Sequence, residues 1–375
     1  MNKPGMLQSD EIQRARETGR KLGSTPEHSD MGLSDAARRL FAGLSAANYH
    51  ALLVPQTHGG GGLDYATAGQ IYEELSYHGI GFMPTLLTNA HCAELLKIAG
   101  NRQSEQGFLK KIGSDGRIFG FCLTEEDAGS DITGIRCMAD QAGDGYVING
   151  EKSIVINNSI ADFFIVIATT DFSKGRAGLN AFVVDASSPG VERGESVRGF
   201  GFGNSVIGKV GFRNVAIPRE NMLGEEGSGY FLVMETFDKG RPLVAASCAG
   251  AAGRLLDIVT AHVRRREQFG KPLFSFQGIS FRLADLATRL RASRLLYLDA
   301  LALIDEGREF TMEASMAKLF ASETLRDLAE FCLEALGYRA FEADSEARNI
   351  FNDAQLLISI DGSSNVQRMV IASQL

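Results

Sequence analysis

Four short stretches of this sequence carry the residue types from which an active site is built. In Phe119–Asp131, FGFCLTEEDAGSD, an apolar run breaks into carboxylates and then a small-residue turn, Ala128-Gly129-Ser130, closed by Asp131. Such a strand offers a flat wall, and the turn lets backbone approach a large, partly anionic ligand without a Cβ in the way. Asn149–Asn158, NGEKSIVINN, is a turn leading into a second apolar strand. Arg264–Gln277, RRREQFGKPLFSFQ, ends a helix in a basic cluster and restarts the chain past Gly270 and Pro272. Ile360–Arg368, IDGSSNVQR, sets the carboxylate of Asp361 just ahead of a helix start, where Ser364 and Gln367 have the S-x-x-Q spacing of a capping box. Unpaired N–H groups there suit an anion or an electron-rich ring. Each stretch alone has a plainer reading: a strand entering a surface turn, a solvated helix C-terminus, an acid stabilising a helix dipole.

The elements that must position these residues fall into three blocks. Residues 1–117 read as helices, with apolar residues at helical spacing in Ala36–Asn48, Tyr65–Leu75 and Leu86–Ile98. The glycines Gly59–Gly62 lack a G-x-G-x-x-G or GK[ST] pattern, so they and the adjacent His58 read as a loop. From 118 to 221 the period shortens. Tyr146–Ile148 between Gly145 and Asn149-Gly150 gives a hairpin signal, Phe163–Ala168 and Leu179–Val184 are apolar runs, and Val206, Gly208, Val210 and Phe212 alternate with their neighbours. This suggests a small β-barrel or sandwich. Residues 222–375 are helical again. Ile279, Leu283, Leu286, Leu290, Ser293, Tyr297, Ala300 and Ile304 form a bundle seam, and Met312–Leu336 a further long helix. Helices, then strands, then helices imply an α+β chain of three segregated domains.

Composition narrows the function classes. Of 375 residues, 44% are hydrophobic and 22% charged, as in ordinary globular proteins. A net charge of −8 argues against a nucleic-acid partner. No apolar run approaches the length of a membrane span, and Met1–Ser9 lacks the apolar core of a signal peptide. The cysteines Cys92, Cys122, Cys137, Cys248 and Cys332 are odd in number and without a C-x-x-C pair, which suggests reduced thiols in a cytoplasm. No metal is expected, since the histidines lack ligand spacing. Tryptophan is absent.

Taken together, TEEDAGSD, NGEK, R-x-Q-F-G-K and D-G-S-S-N-V-Q-R, in this order, resemble the acyl-CoA dehydrogenase family from about Val54 to the end of the chain. The resemblance implies an N-terminal helical domain, a middle β domain and a C-terminal four-helix bundle that hold FAD between them. It also implies a homo-oligomer, a dimer or a tetramer built from dimers. The substrate it implies is an acyl thioester, on coenzyme A or a carrier protein, with an electron-transfer flavoprotein or O2 as acceptor. By position, Leu123 and Thr124 match flavin contacts and Ser130 a contact to flavin or substrate. Ile154 and Ile156 match the flavin wall. Arg266, Gln268 and Phe269, with Gln277 beside them, match an arm that crosses to the neighbouring subunit's FAD. Glu334 and Gly337 match its adenosine end, and Ser363 and Asn365 meet the cofactor beyond the base. Asp238, Gly240 and Arg241 match the helix that lines the thioester pocket.

Departures from the family pattern shape the expectation. Asp361 stands where glutamate is usual, and Gly240 where some relatives carry the base. Ile154-Val155-Ile156 replaces a tryptophan, isoleucine, threonine wall, so a ring that covers the flavin and a hydroxyl near its N5 are lost. That opens an oxidase or monooxygenase alternative; nitroalkane oxidase, of the same superfamily, uses an aspartate base. A non-catalytic acyl-binding relative is the reading from another class. Burial beside an acyl chain is expected to raise the Asp361 pKa above its usual ~3.9, with the helix start opposing.

Overall fold

The computed structural model describes residues 9–23, 32–100, 107–196, 201–203, 205–342 and 344–375. The N-terminal block comprises α1 (Ser9–Gly23), α2 (Leu33–Ala46), α3 (Tyr65–Gly79), α4 (Met83–Ala99) and the short α5 (Leu109–Gly113). Asp64 caps α3 by accepting from Thr67 N at 2.6 Å. Asp305, from the far end of the chain, accepts from Tyr65 N and Ala66 N at 2.7 and 2.9 Å. Both carboxylates satisfy N–H groups that the first helical turn leaves unpaired.

The middle block is one sheet made of β1 (Phe119–Cys122), β2 (Met138–Ala142), β3 (Gly145–Ile156), β4 (Phe163–Thr169), β5 (Leu179–Asp185), β6 (Val191–Ser196), β7 (Ile207–Pro218) and β8 (Met222–Leu223). Strands run in the order β6-β7-β3-β2-β4-β5-β8, and β1 lies parallel to β4. The apolar runs seen in sequence are β4 and β5, buried along nearly their whole length. The hairpin expected at Asn149-Gly150 is instead a bulge inside β3, where the register against β7 slips between Ile148 and Gly150. Asn149 bonds across the sheet, accepting from Asn214 N at 2.8 Å, so its amide serves a neighbouring strand and turns nothing. The turn comes earlier, at Gly143-Asp144, where Ala142 faces Gly145.

The last block holds α6 (Gly229–Arg265), the two-residue strands β9 (Glu267–Gln268) and β10 (Lys271–Pro272), α7 (Gln277–Asp305), α8 (Thr311–Leu336), α9 (Glu346–Leu357) and α10 (Ser364–Gln374). Contrary to the sequence expectation, α6 is long and apolar enough to cross a bilayer. However, 72% of its most apolar window is buried inside the protein, which makes it a core helix. The α7 seam faces inward as expected, with Leu283, Leu286, Leu290, Ser293, Tyr297 and Ala300 buried. Glu73 of α3 ties the first block to this one, accepting from Arg294 Nε at 2.5 Å and from the Tyr297 hydroxyl.

Close approach of α3 to α6 depends on Gly250, since a Cβ there would stand 2.0 Å from the Glu73 carbonyl oxygen. Backbone has no side-chain freedom with which to yield. Gly250→Ala should therefore cost about 1–3 kcal/mol by overpacking. The check is a lower urea midpoint at unchanged m-value.

Candidate active site

Asp361 occupies the turn between α9 and α10 with φ 53°, in the left-handed region, followed by Gly362 at φ 94°. Aspartate tolerates that region better than most residues, yet the conformation persists only when its surroundings fix it. Three side chains do so from three helices. Lys318 of α8, wholly buried, donates to the carbonyls of Ile358 and Gly362 at 2.8 and 2.9 Å. Gln367 of α10 donates to the carbonyls of Asp361 and Gly362, both at 2.9 Å. Arg241 of α6 reaches the Asp361 carbonyl at 3.4 Å. The helix cap itself is Ser363, accepting from Val366 N, one residue earlier than the spacing of Ser364 and Gln367 suggests. Gln367 is drawn away from the capping position by the two carbonyls.

Around this turn the predicted pocket residues converge. Arg241 pairs with Asp238 one helical turn back and donates to Ser315 at 3.3 Å; Thr311 donates to the other Asp238 oxygen at 3.0 Å. Pro242 has no N–H to offer the Asp238 carbonyl, so the helical bonding is broken at the turn that carries the site. His91 of α4, which sequence reasoning missed, places Nε2 3.1 Å from Asp361 Oδ2. That is an ion-pair distance without hydrogen-bond alignment, since neither atom has a hydrogen-bond partner among the described residues.

Without a ligand, the charges around Asp361 outweigh its burial. Burial pushes the Asp361 carboxyl up, but His91, Lys318 and Arg241 together hold it below the usual carboxylate value. Burial in turn lowers the Lys318 ammonium to about 8, against the opposing pull of Cys248 and Asp361. The cations around Asp361 thus favour its carboxylate form.

The residues expected to wall a flavin gather elsewhere, where the loop after β1 meets the C-terminal part of β3. Thr124 accepts from Ser153 N at 2.9 Å through its carbonyl, which sets the loop after β1 beside the Ile154 and Ile156 end of β3. Ile154 is 54% exposed, and Ile156 is half-buried. Leu123 is buried, Ser130 exposed, and a Cβ at Gly129 would meet nothing within 4 Å. Two motif residues prove to be a clamp. Glu125, from TEEDAGSD, accepts from Lys152 Nζ, from NGEK, at 2.7 Å, and also from Arg136 N and Cys137 N at 2.7 and 3.0 Å. Lys152, fully buried, also donates to the Leu123 carbonyl at 3.0 Å.

The arm lies apart from both groups within one chain. Arg266, Gln268 and Phe269 are exposed, Phe269 to 94% with φ 52°, and Gln277 opens α7 beyond them. Glu334 is engaged on the surface with Arg282 at 3.0 Å, and Gly337 ends α8. Asn365 is exposed on the first turn of α10.

A cavity of about 630 Å3, lined by Tyr65, Glu94, Lys97, Glu235, Lys239 and Arg308 among others, lies one turn along α4 and α6 from the His91–Asp361 pair. Buried Glu94 is its hub, bonded to Tyr65 at 2.5 Å, Lys97 at 2.6 Å and Lys239 at 3.0 Å. Comparison with known proteins agrees with this geometry. The acyl-CoA dehydrogenase N-terminal, middle and C-terminal domain models match residues 13–115, 120–215 and 227–375. The chain belongs to the acyl-CoA dehydrogenase family. A cyclohex-1-ene-1-carbonyl-CoA dehydrogenase of Geobacter metallireducens is 34% identical over 343 residues, 90% of this chain and 89% of that one. A caffeyl-CoA reductase–Etf complex subunit, CarC, of Acetobacterium woodii is 32% identical over 87% of this chain and 86% of its own. The crystal structure of a prolyl acyl carrier protein oxidase, AnaB, superposes with a TM-score of 0.91 at 26% identity, covering 98% and 99% of the two chains.

As a member of this family the chain is an FAD-dependent oxidoreductase acting on CH–CH bonds. Its residues fit that cofactor. The Thr124 hydroxyl, half-buried, makes no hydrogen bond among the described residues, and the buried Ser364 hydroxyl likewise has none. The open face at Gly129 gives a ring system room. Breaking the clamp behind this wall is expected to cost more than a surface substitution. Lys152→Met should lower stability by about 3–5 kcal/mol, because it leaves the Glu125 charge largely buried without its cation. Flavin occupancy of purified Lys152→Met should fall with it, which absorbance at the flavin band measures.

Proposed function

We propose that this protein desaturates an acyl thioester at α,β, with Asp361 taking the α-proton. What carries the reading is the Asp361 turn, whose carbonyls are held by side chains of α6, α8 and α10 and whose carboxylate faces His91 at 3.1 Å. Bound FAD supplies the acceptor for the β-hydrogen, which leaves as a hydride. Leu123, Thr124, Ser130, Ile154 and Ile156 would wall the ring. Ser363 and Asn365 would meet it at the N-terminus of α10. Arg266, Gln268, Phe269 and Gln277 would reach the FAD of a neighbouring subunit, since Arg266 is exposed and makes no ion pair among the described residues.

The thioester would lie along α6 past Asp238 and Arg241, with the cavity at Glu94 and Lys239 beside it. Coenzyme A and a carrier protein are both thioester carriers named among the relatives. The name of the Acetobacterium relative supports an electron-transfer flavoprotein as acceptor. Asp361→Asn is expected to keep flavin and thioester binding while abolishing anaerobic bleaching by acyl-CoA or acyl-carrier thioesters. Bleaching at the parent rate would leave Asp361 as a helix-start residue only. Arg266→Ala should lower flavin occupancy, because a guanidinium grips phosphate bidentately and alanine cannot; full occupancy would take the arm out of the site.

An oxidase reading has one observation in its favour: isoleucines stand at 154 and 156, so neither position offers a covering ring or a hydroxyl. On that reading Ile156→Thr slows reoxidation of the reduced enzyme by air. A parent enzyme already inert to oxygen sinks it.

A further inference from the structure

The backbone of Asp361 is gripped by Lys318, Gln367 and Arg241, but each of them bonds to carbonyl oxygens and none to the carboxylate. A short acid on a fixed backbone still turns about its own side-chain bonds. Among the described residues, the side chain nearest its carboxylate is His91, whose Nε2 stands 3.1 Å from Oδ2. Both side chains are about nine-tenths buried.

The ring of His91 is itself hemmed in by α6. Phe237 meets it in a T-shaped contact, with centroids 5.9 Å apart at an interplanar angle of 81°. Gly240 lies against its edge, where a Cβ would stand 1.9 Å from Nε2 and 2.4 Å from Cδ2. Both residues sit on α6, one turn apart, so a single helix shapes the slot. No residue larger than glycine at 240 leaves the imidazole where it is.

We infer that His91 is the positioning residue for Asp361: its imidazole, with Nε2 3.1 Å from Oδ2, limits the turning of the carboxylate and leaves Oδ1 to face the acyl α-carbon, and Gly240 is the notch that admits the ring. This rests on the reading of Asp361 as the base. It answers the one-carbon deficit of aspartate against glutamate, since a short acid reaches its target only if its rotation is removed as well. The other charged groups facing the pair are already engaged. Arg241 is held by Asp238, Lys318 by two carbonyls, and Glu94, one turn along α4, by Lys97 and Lys239.

The test is stopped-flow bleaching of the holoenzyme by the thioester that reduces the parent fastest, with limiting rate and apparent dissociation constant read separately. His91→Phe fills the slot without a nitrogen, and is expected to lower the limiting rate on the order of 100-fold, the effect of a misplacement near 1 Å. Flavin occupancy and thioester affinity should stay near parent values. His91→Gln, which returns an amide donor, should recover part of the rate. Gly240→Ala should slow reduction by expelling the ring, and adding it to His91→Ala should bring little further loss, as expected for residues in contact. A His91→Phe enzyme that bleaches at the parent rate overturns the inference. So do losses confined to occupancy or affinity, and independent, additive effects of Gly240→Ala and His91→Ala. In those cases an inactive Asp361→Asn enzyme still leaves Asp361 as the base. An Asp361→Asn enzyme that bleaches normally overturns both readings.

Discussion

A single buried ammonium governs the geometry of this site. Lys318 lies in the interior of α8 with no exposed surface, and it spends its charge on two backbone carbonyls of the turn that presents Asp361. An unpaired charge there would be costly, so the turn and the lysine require each other. The left-handed backbone at Asp361 follows from that requirement, because the carbonyls must point inward while the carboxylate faces α4 and α6. Everything else at the site is arranged around a turn whose position is fixed from below.

The sheet contributes a second fixed point of the same kind. Glu125 and Lys152 close on each other across the start of the cofactor wall, and the lysine also holds the Leu123 carbonyl. Two stretches that look like ligand motifs are therefore partly structural. The wall residues beside them, Thr124 and Ile154, stay free to meet a ligand because their neighbours carry the load of folding. Buried cations, one in the bundle and one in the sheet, define the two sides between which a flavin and a thioester would meet.

The order of blocks, the α7 seam and the family resemblance were legible because they are written in local spacing. Periodicity places a helix or a strand without reference to the rest of the chain. The bulge at Asn149-Gly150 was not legible, since the same two residues suit a tight turn and a slipped register, and only β7 decides between them. The lowered pKa of Asp361 was hidden for a related reason. The three side chains that lower it, His91, Arg241 and Lys318, lie 270, 120 and 43 residues away along the chain, on α4, α6 and α8. His91 gave one faint signal, a histidine on a largely buried helix, and its meaning depended on a glycine far off at 240. Lys318 gave less, being one of two cations in its helix, with Arg326.

The cap on α3 has a consequence for how the chain reaches this state. Two of its first N–H groups are satisfied by Asp305, 240 and 239 residues downstream. At a synthesis rate of about 5–20 residues per second, those 240 residues take roughly 12–48 s to follow. For that interval the nascent N-terminal block holds an incompletely capped helix, and until α6 (Gly229–Arg265) has followed, the apolar face destined for it is still in water. Newly made chains therefore pass through a period of exposed hydrophobic surface set by the ribosome's pace, during which a chaperone has more to shield than in a protein whose first helices close on themselves.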